Sequence, residues 1–141
     1  FNVPFRIHAT ELAVLRAVKS YAANYGFSGY QEVLPDQTLE EGENVKFGNS
    51  ELQVLFLPGH SPGHIGFYAS AERLLVAGDV LFYGSIGRTD LPGGNMETLL
   101  GSIHQKLFTL PDEVVVYPGH GPTTTLGEEK VSNPFCALPV R

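Results

Sequence analysis

Leu57-Pro58-Gly59-His60-Ser61-Pro62-Gly63-His64 directly follows the apolar run Leu52-Gln53-Val54-Leu55-Phe56-Leu57, and its reading decides the fold. Two other places share its design. Ala77-Gly78-Asp79 closes the run 73–77, and Tyr117-Pro118-Gly119-His120-Gly121 closes the run 114–117. Each time an apolar strand delivers a histidine or an aspartate beside glycine, which permits backbone angles and close approaches that a side chain would block. An ionised Asp79 at the end of an apolar strand needs a compensating charge. A divalent cation offers one, and imidazole with carboxylate suits zinc, iron or manganese. The competing reading makes His60 and His120 ordinary turn residues satisfied by backbone hydrogen bonds. Two imidazoles and a carboxylate on matching strand ends weigh against it.

Outward from this stretch the chain alternates strands and helices. Phe5 and Ile7 alternate with polar neighbours over 4–8, a short strand. Leu12, Leu15, Val18 and Ala22 then predict a helix over 11–24, with Thr10 as its N-cap and Gly26 as its stop. Residues 27–42 read as loop. Strands follow at 45–47 and 52–57, joined by a Gly48-Asn49-Ser50 turn, and at 64–69 and 73–77. After a glycine-rich loop over 84–94, Asn95 caps a helix over 95–109. Its Met96, Leu99, Leu100, Ile103, Leu107 and Phe108 fall on one face. Several strands run in succession without a helix, so the expectation is a layered α/β domain rather than a purely parallel doubly wound sheet.

The 141 residues carry 43% hydrophobic and 17% charged side chains, which predicts one globular domain over 1–141 rather than a disordered chain. A net charge of −6 without a basic run argues against nucleic acid and against anionic membrane as partners. No apolar stretch of about 18 residues is present to span a bilayer. The single cysteine, Cys136, and the lack of a signal-peptide pattern point to the cytoplasm. The chain opens at Phe1 without an initiator methionine and with a strand-like run already under way, which suggests processing or truncation.

The ordered set of a PGHSPGH turn, then Gly78-Asp79, then Pro118-Gly119-His120-Gly121 resembles the metallo-β-lactamase superfamily. Gly87-Arg88-Thr89-Asp90-Leu91-Pro92-Gly93-Gly94, with the tail from Gly121-Pro122-Thr123-Thr124-Thr125 to Asn133-Pro134-Phe135, is similar to hydroxyacylglutathione hydrolases of the glyoxalase II type. The resemblance implies an αββα sandwich, represented here mainly by its C-terminal ββα half. It implies His60 on a first metal, His120 on a second, and Asp79 bridging both as the catalytic carboxylate. Zinc is the implied metal, with iron or manganese as alternatives. The implied reaction is hydrolysis of a thioester such as a hydroxyacyl-glutathione by metal-activated hydroxide.

The family's His-x-His-x-Asp-His motif does not occur in this sequence. Of about seven protein ligands in a dinuclear site three are therefore in hand. The expectation is that these 141 residues alone bind metal weakly and hydrolyse little. Half a sandwich also leaves a sheet face to be covered by a second copy or by the absent N-terminal half. Two other readings stand beside the hydrolase: a persulfide dioxygenase with one iron, and a non-catalytic remnant serving as an interaction module.

The remaining polar residues divide as follows. His64 is expected to make supporting hydrogen bonds rather than to ligate. His8 and His104 read as solvated surface residues. Arg88 and Asp90 either brace their loop as an ion pair or shape the substrate mouth, and Tyr83 is a candidate to reach the site from the loop after Asp79. Cys136 reads as a small buried hydrophobe. Glu128 and Glu129 are expected to decorate a short helix.

Overall fold

The computed structural model describes residues 3–139. Its centre is a six-stranded mixed sheet. β3 (Asn44–Phe47), β4 (Ser50–Phe56), β5 (Ile65–Ala69) and β6 (Leu74–Gly78) form an antiparallel meander. β9 (Val115–Pro118) adds parallel to β6, and β10 (Thr124–Thr125) closes the far edge antiparallel to β9. Between β6 and β9 the chain makes a small hairpin, β7 (Leu81–Phe82) with β8 (Ser85–Ile86), and then α2 (Met96–Gln105). α3 (Leu126–Ser132) follows β10. The amino-terminal part supplies β1 (Arg6–Ile7), α1 (Leu12–Tyr21) and β2 (Gln37–Thr38), which pairs parallel with β1.

Strand alternation sorts the sheet into two faces. Tyr68, Leu75 and Val116 stand in one cross-strand row and face the helical layer. There they meet Leu99 and Ile103 of α2, Leu107 and Phe108 of the 3-10 turn after it, Leu126 of α3, and Cys136. Most of these side chains are fully buried, each contributing about 1.5–3 kcal/mol of transfer free energy. α2 starts where Asn95 predicts it: the Asn95 side chain accepts the Thr98 N–H at 2.8 Å, a cap worth about 1 kcal/mol.

The opposite row runs Val54, Phe67, Val76, Tyr117. Val54 is fully buried at one end, while Val76 and Tyr117 at the other are 40% and 45% exposed. The amino-terminal segment covers the β4 side only, where His8 stacks on Phe56 at 4.1 Å between ring centroids. The open apolar face expected from the sequence lies at Val76 and Tyr117. No helix among the described residues is long and apolar enough to cross a membrane.

Several local expectations are corrected. The first helix begins as a 3-10 turn over Ala9–Glu11, capped by His8 rather than by Thr10. His8 is buried, not solvated: its ring is held by the Phe56 stack, and its Nδ1 lies 2.8 Å from Thr10 Oγ1. β2 interrupts the predicted 27–42 loop, and β8 interrupts the 84–94 loop. Two-residue strands are held by their partners and leave no periodicity of their own. Glu129, expected on the surface, is fully buried.

Cys136 is buried as expected, at 2% exposure. Burial, reinforced by the charge of Glu129, pushes its thiol up to about 12. The folded value lies above that of an unfolded cysteine, about 8.5. The stabilisation from keeping the thiol neutral is therefore complete below that value and is lost as pH rises towards 12. Iodoacetamide is expected to leave native Cys136 unlabelled at pH 9 and to label it rapidly in denaturant. Labelling at equal rates in both conditions would contradict this burial.

Candidate metal centre

Strand direction explains why three distant residues meet. β4 is antiparallel to β5, β5 to β6, and β6 is parallel to β9. β4, β6 and β9 therefore point the same way, and their C-terminal ends share one rim. His60 follows β4, Asp79 follows β6, and His120 follows β9. Asp79 is the pivot. His60 Nε2 lies 3.7 Å from Asp79 Oδ2, and His120 Nδ1 lies 2.8 Å from Asp79 Oδ1.

Each imidazole addresses a different oxygen of the one carboxylate. The arrangement offers one imidazole and a shared carboxylate to each of two positions, rather than three donors to one. Among the described residues no group of three or more His, Cys, Asp or Glu is gathered closely enough to hold a metal ion by itself.

The donors suit a cation. His60 Nδ1 lies 2.8 Å from the Arg88 carbonyl oxygen. A carbonyl only accepts, so Nδ1 carries a proton, and Nε2 is the ring nitrogen turned towards Asp79. Gly119 completes the cradle, because a Cβ there would strike Asp79 Oδ1. The His120 side chain is 78% exposed and leans edge-on against Phe82 at 6.0 Å between centroids.

His64 supports the site from beneath. Its Nε2 accepts the Asp79 backbone N–H at 3.1 Å. Burial, helped by the neighbouring His60 ring and opposed by Asp79, lowers its pKa to about 4, so the ring is neutral and able to accept. The supporting role expected from sequence is the one it has.

The loop residues fare unevenly. Arg88 and Asp90 form a two-pronged ion pair, with Nε–Oδ1 and Nη2–Oδ2 both at 2.7 Å. The hydrogen bond from Arg88 draws Asp90 down to about 2. Both side chains are well exposed, and Arg88 serves the site through its main-chain carbonyl rather than its guanidinium. Tyr83 sits 55% exposed on the β7–β8 turn, and its neighbour Phe82 is the residue that reaches His120. Phe82 and the Arg88 carbonyl were not singled out from the sequence. A lone phenylalanine in a loop and a backbone oxygen carry no signal that marks them.

The chain is similar to several known proteins. The sequence model of the metallo-beta-lactamase superfamily matches residues 2–120. The chain is 44% identical over 123 residues to hydroxyacylglutathione hydrolase GloC of Haemophilus influenzae, covering 86% of this chain and 58% of that protein. It is 36% identical over 107 residues to the mitochondrial persulfide dioxygenase ETHE1 of Homo sapiens, covering 73% of this chain and 42% of that protein. Among solved structures, TTHA1623 in a di-iron-bound form superposes with a TM-score of 0.84 at 43% identity, over 96% of this chain and 66% of that one. The chain thus spans roughly half the length of the curated relatives it matches.

Proposed function

Because the chain belongs to the metallo-beta-lactamase superfamily, we propose that its protein is a metal-dependent hydrolase of thioesters, of the hydroxyacyl-glutathione class. The observation that carries this reading is the single Asp79 carboxylate approached by His60 on one oxygen and His120 on the other. His60, Asp79 and His120 would hold two divalent cations, which when bound polarise a carbonyl and bring a water's pKa towards neutrality. The chain's own residues prepare that site. The Arg88 carbonyl fixes the His60 tautomer, His64 holds the Asp79 backbone, and Gly119 leaves room beside the carboxylate. The likeness to GloC supports a thioester over other carbonyl substrates.

A second reading has its own support in the likeness to persulfide dioxygenase ETHE1, and makes the protein an iron-dependent oxidant of persulfides. Two assays on the purified protein separate them. The hydrolase reading expects loss of a lactoyl-glutathione thioester without oxygen uptake, abolished by a chelator and restored by zinc. Oxygen consumption with glutathione persulfide, one iron per chain and an untouched thioester would overturn it.

A further inference from the structure

The turn that carries His60 is gripped from a distance of fifty residues. Ser61 Oγ donates to Glu11 Oε2 at 3.0 Å, and the Gly63 backbone N–H donates to the same oxygen at 2.7 Å. Beside them, Thr10 Oγ1 donates to the Pro62 carbonyl at 3.0 Å. The contact is close: a Cβ on Gly63 would collide with the backbone nitrogen of Glu11. α1, which follows Glu11, contains no fully buried residue, and the bonds from Thr10 and Glu11 join the 3-10 turn directly to the 58–64 turn. The turn's other backbone ties are Ser102 Oγ to the Pro58 carbonyl, the Asn95 N–H to the Gly59 carbonyl, and two bonds internal to the turn and its flanks, the Gly59 N–H to the Ser61 carbonyl and the Leu57 N–H to the His64 carbonyl. Residues 61–63, just beyond His60, are held by Thr10 and Glu11.

We infer that Glu11 is a positioning residue for His60: its single oxygen Oε2 ties Ser61 and Gly63 and thereby sets the imidazole that addresses Asp79. The inference rests on the proposed metal role of His60, yet part of its test does not. Both donors share one acceptor oxygen, so the requirement is for an acceptor at that reach rather than for a negative charge. A glutamine carbonyl has two lone pairs and fills the requirement. Leucine lacks an acceptor, and aspartate is one methylene too short.

The test compares Glu11→Gln, Glu11→Leu and Glu11→Asp with the parent protein, and uses Lys106→Met as a control. Lys106 ties Glu41 and the Phe56 carbonyl, outside the 58–64 turn, so its loss reports a general change in stability. In the metal-free protein, nitrogen-15 NMR of the histidine rings should show a slowly exchanging His60 Nδ1–H in the parent and in Glu11→Gln. That signal should be lost in Glu11→Leu and Glu11→Asp. In zinc titrations the same two variants should bind the tighter-held ion about 10–100-fold more weakly, the range for losing a partner that orients a ligand. Glu11→Gln and Lys106→Met should stay within about threefold of the parent, below that range. If Glu11→Leu keeps both the His60 signal and the parent zinc affinity, Glu11 does not position His60. Loss of the ring signal in Glu11→Leu, alongside a parent protein that shows the signal but binds no zinc, would retain Glu11 as the support of His60 and refute the metal reading alone.

Discussion

Replacing Asp79 with asparagine is expected to abolish turnover while leaving the fold in place. Both imidazoles face Asp79, one on each oxygen, and its side chain is 30% exposed at a rim rather than packed in the core. Asparagine preserves volume and one acceptor, but removes the charge that two cations would share. If charge stabilisation at the reacting carbonyl amounts to about 4 kcal/mol, its loss costs about a thousandfold in rate. The metal-free protein is expected to melt at the parent temperature or slightly above it. A carboxylate aimed at an ion position is kept for chemistry and does not serve the fold. Thioester hydrolysis and persulfide-dependent oxygen uptake should be assayed together, since the prediction covers either reaction. Activity within tenfold of the parent, with stability unchanged, would remove Asp79 from the centre of the site and with it the metallohydrolase proposal.

What the sequence made legible follows from where the information sits. His60, Asp79 and His120 stand out because glycine and an ionisable residue recur at the ends of apolar strands, and both features are local. Their convergence depends on β4, β6 and β9 running in one direction, a consequence of pairing that no single segment encodes. α2 was readable from Asn95 and its apolar stripe. The β7–β8 hairpin was not, because four paired residues are too few for a period to show. His8 looked solvated since the ring it stacks on, Phe56, lies far along the chain. The Arg88–Asp90 pair was foreseen in one of its two readings, but the atom of Arg88 that touches the site is its carbonyl oxygen. Residue identity says nothing about where a main-chain oxygen will point.

Glu129, whose burial its sequence neighbours conceal, carries the largest stability effect we expect. In sequence Gly127-Glu128-Glu129-Lys130 reads as a solvated helix start. Glu128 does lie outside, whereas Glu129 turns inward with none of its surface exposed. Its carboxylate is fully used. Thr124 Oγ1 donates to Oε1 at 2.6 Å, and the Gly84 N–H and Asn133 Nδ2 donate to Oε2 at 3.0 and 2.6 Å. Asn133 in turn donates to the Ser85 carbonyl at 3.0 Å. One side chain thus ties β10, α3 and the β7–β8 turn whose Phe82 leans on His120. Leucine at this position fits the volume but offers none of these three donors an acceptor. Leaving buried donors unsatisfied costs about 1–3 kcal/mol each, which for this network amounts to about 3–5 kcal/mol. In a domain of this size that lowers the melting temperature by about 10–20 °C. Glutamine should lie between leucine and the parent, because it keeps one oxygen but turns an NH2 donor towards donors. Thermal unfolding followed by circular dichroism reads the series directly. A Glu129→Leu protein melting within about 2 °C of the parent, well under the shift for 1 kcal/mol, would mean that these three hydrogen bonds do not hold the hairpin under the rim.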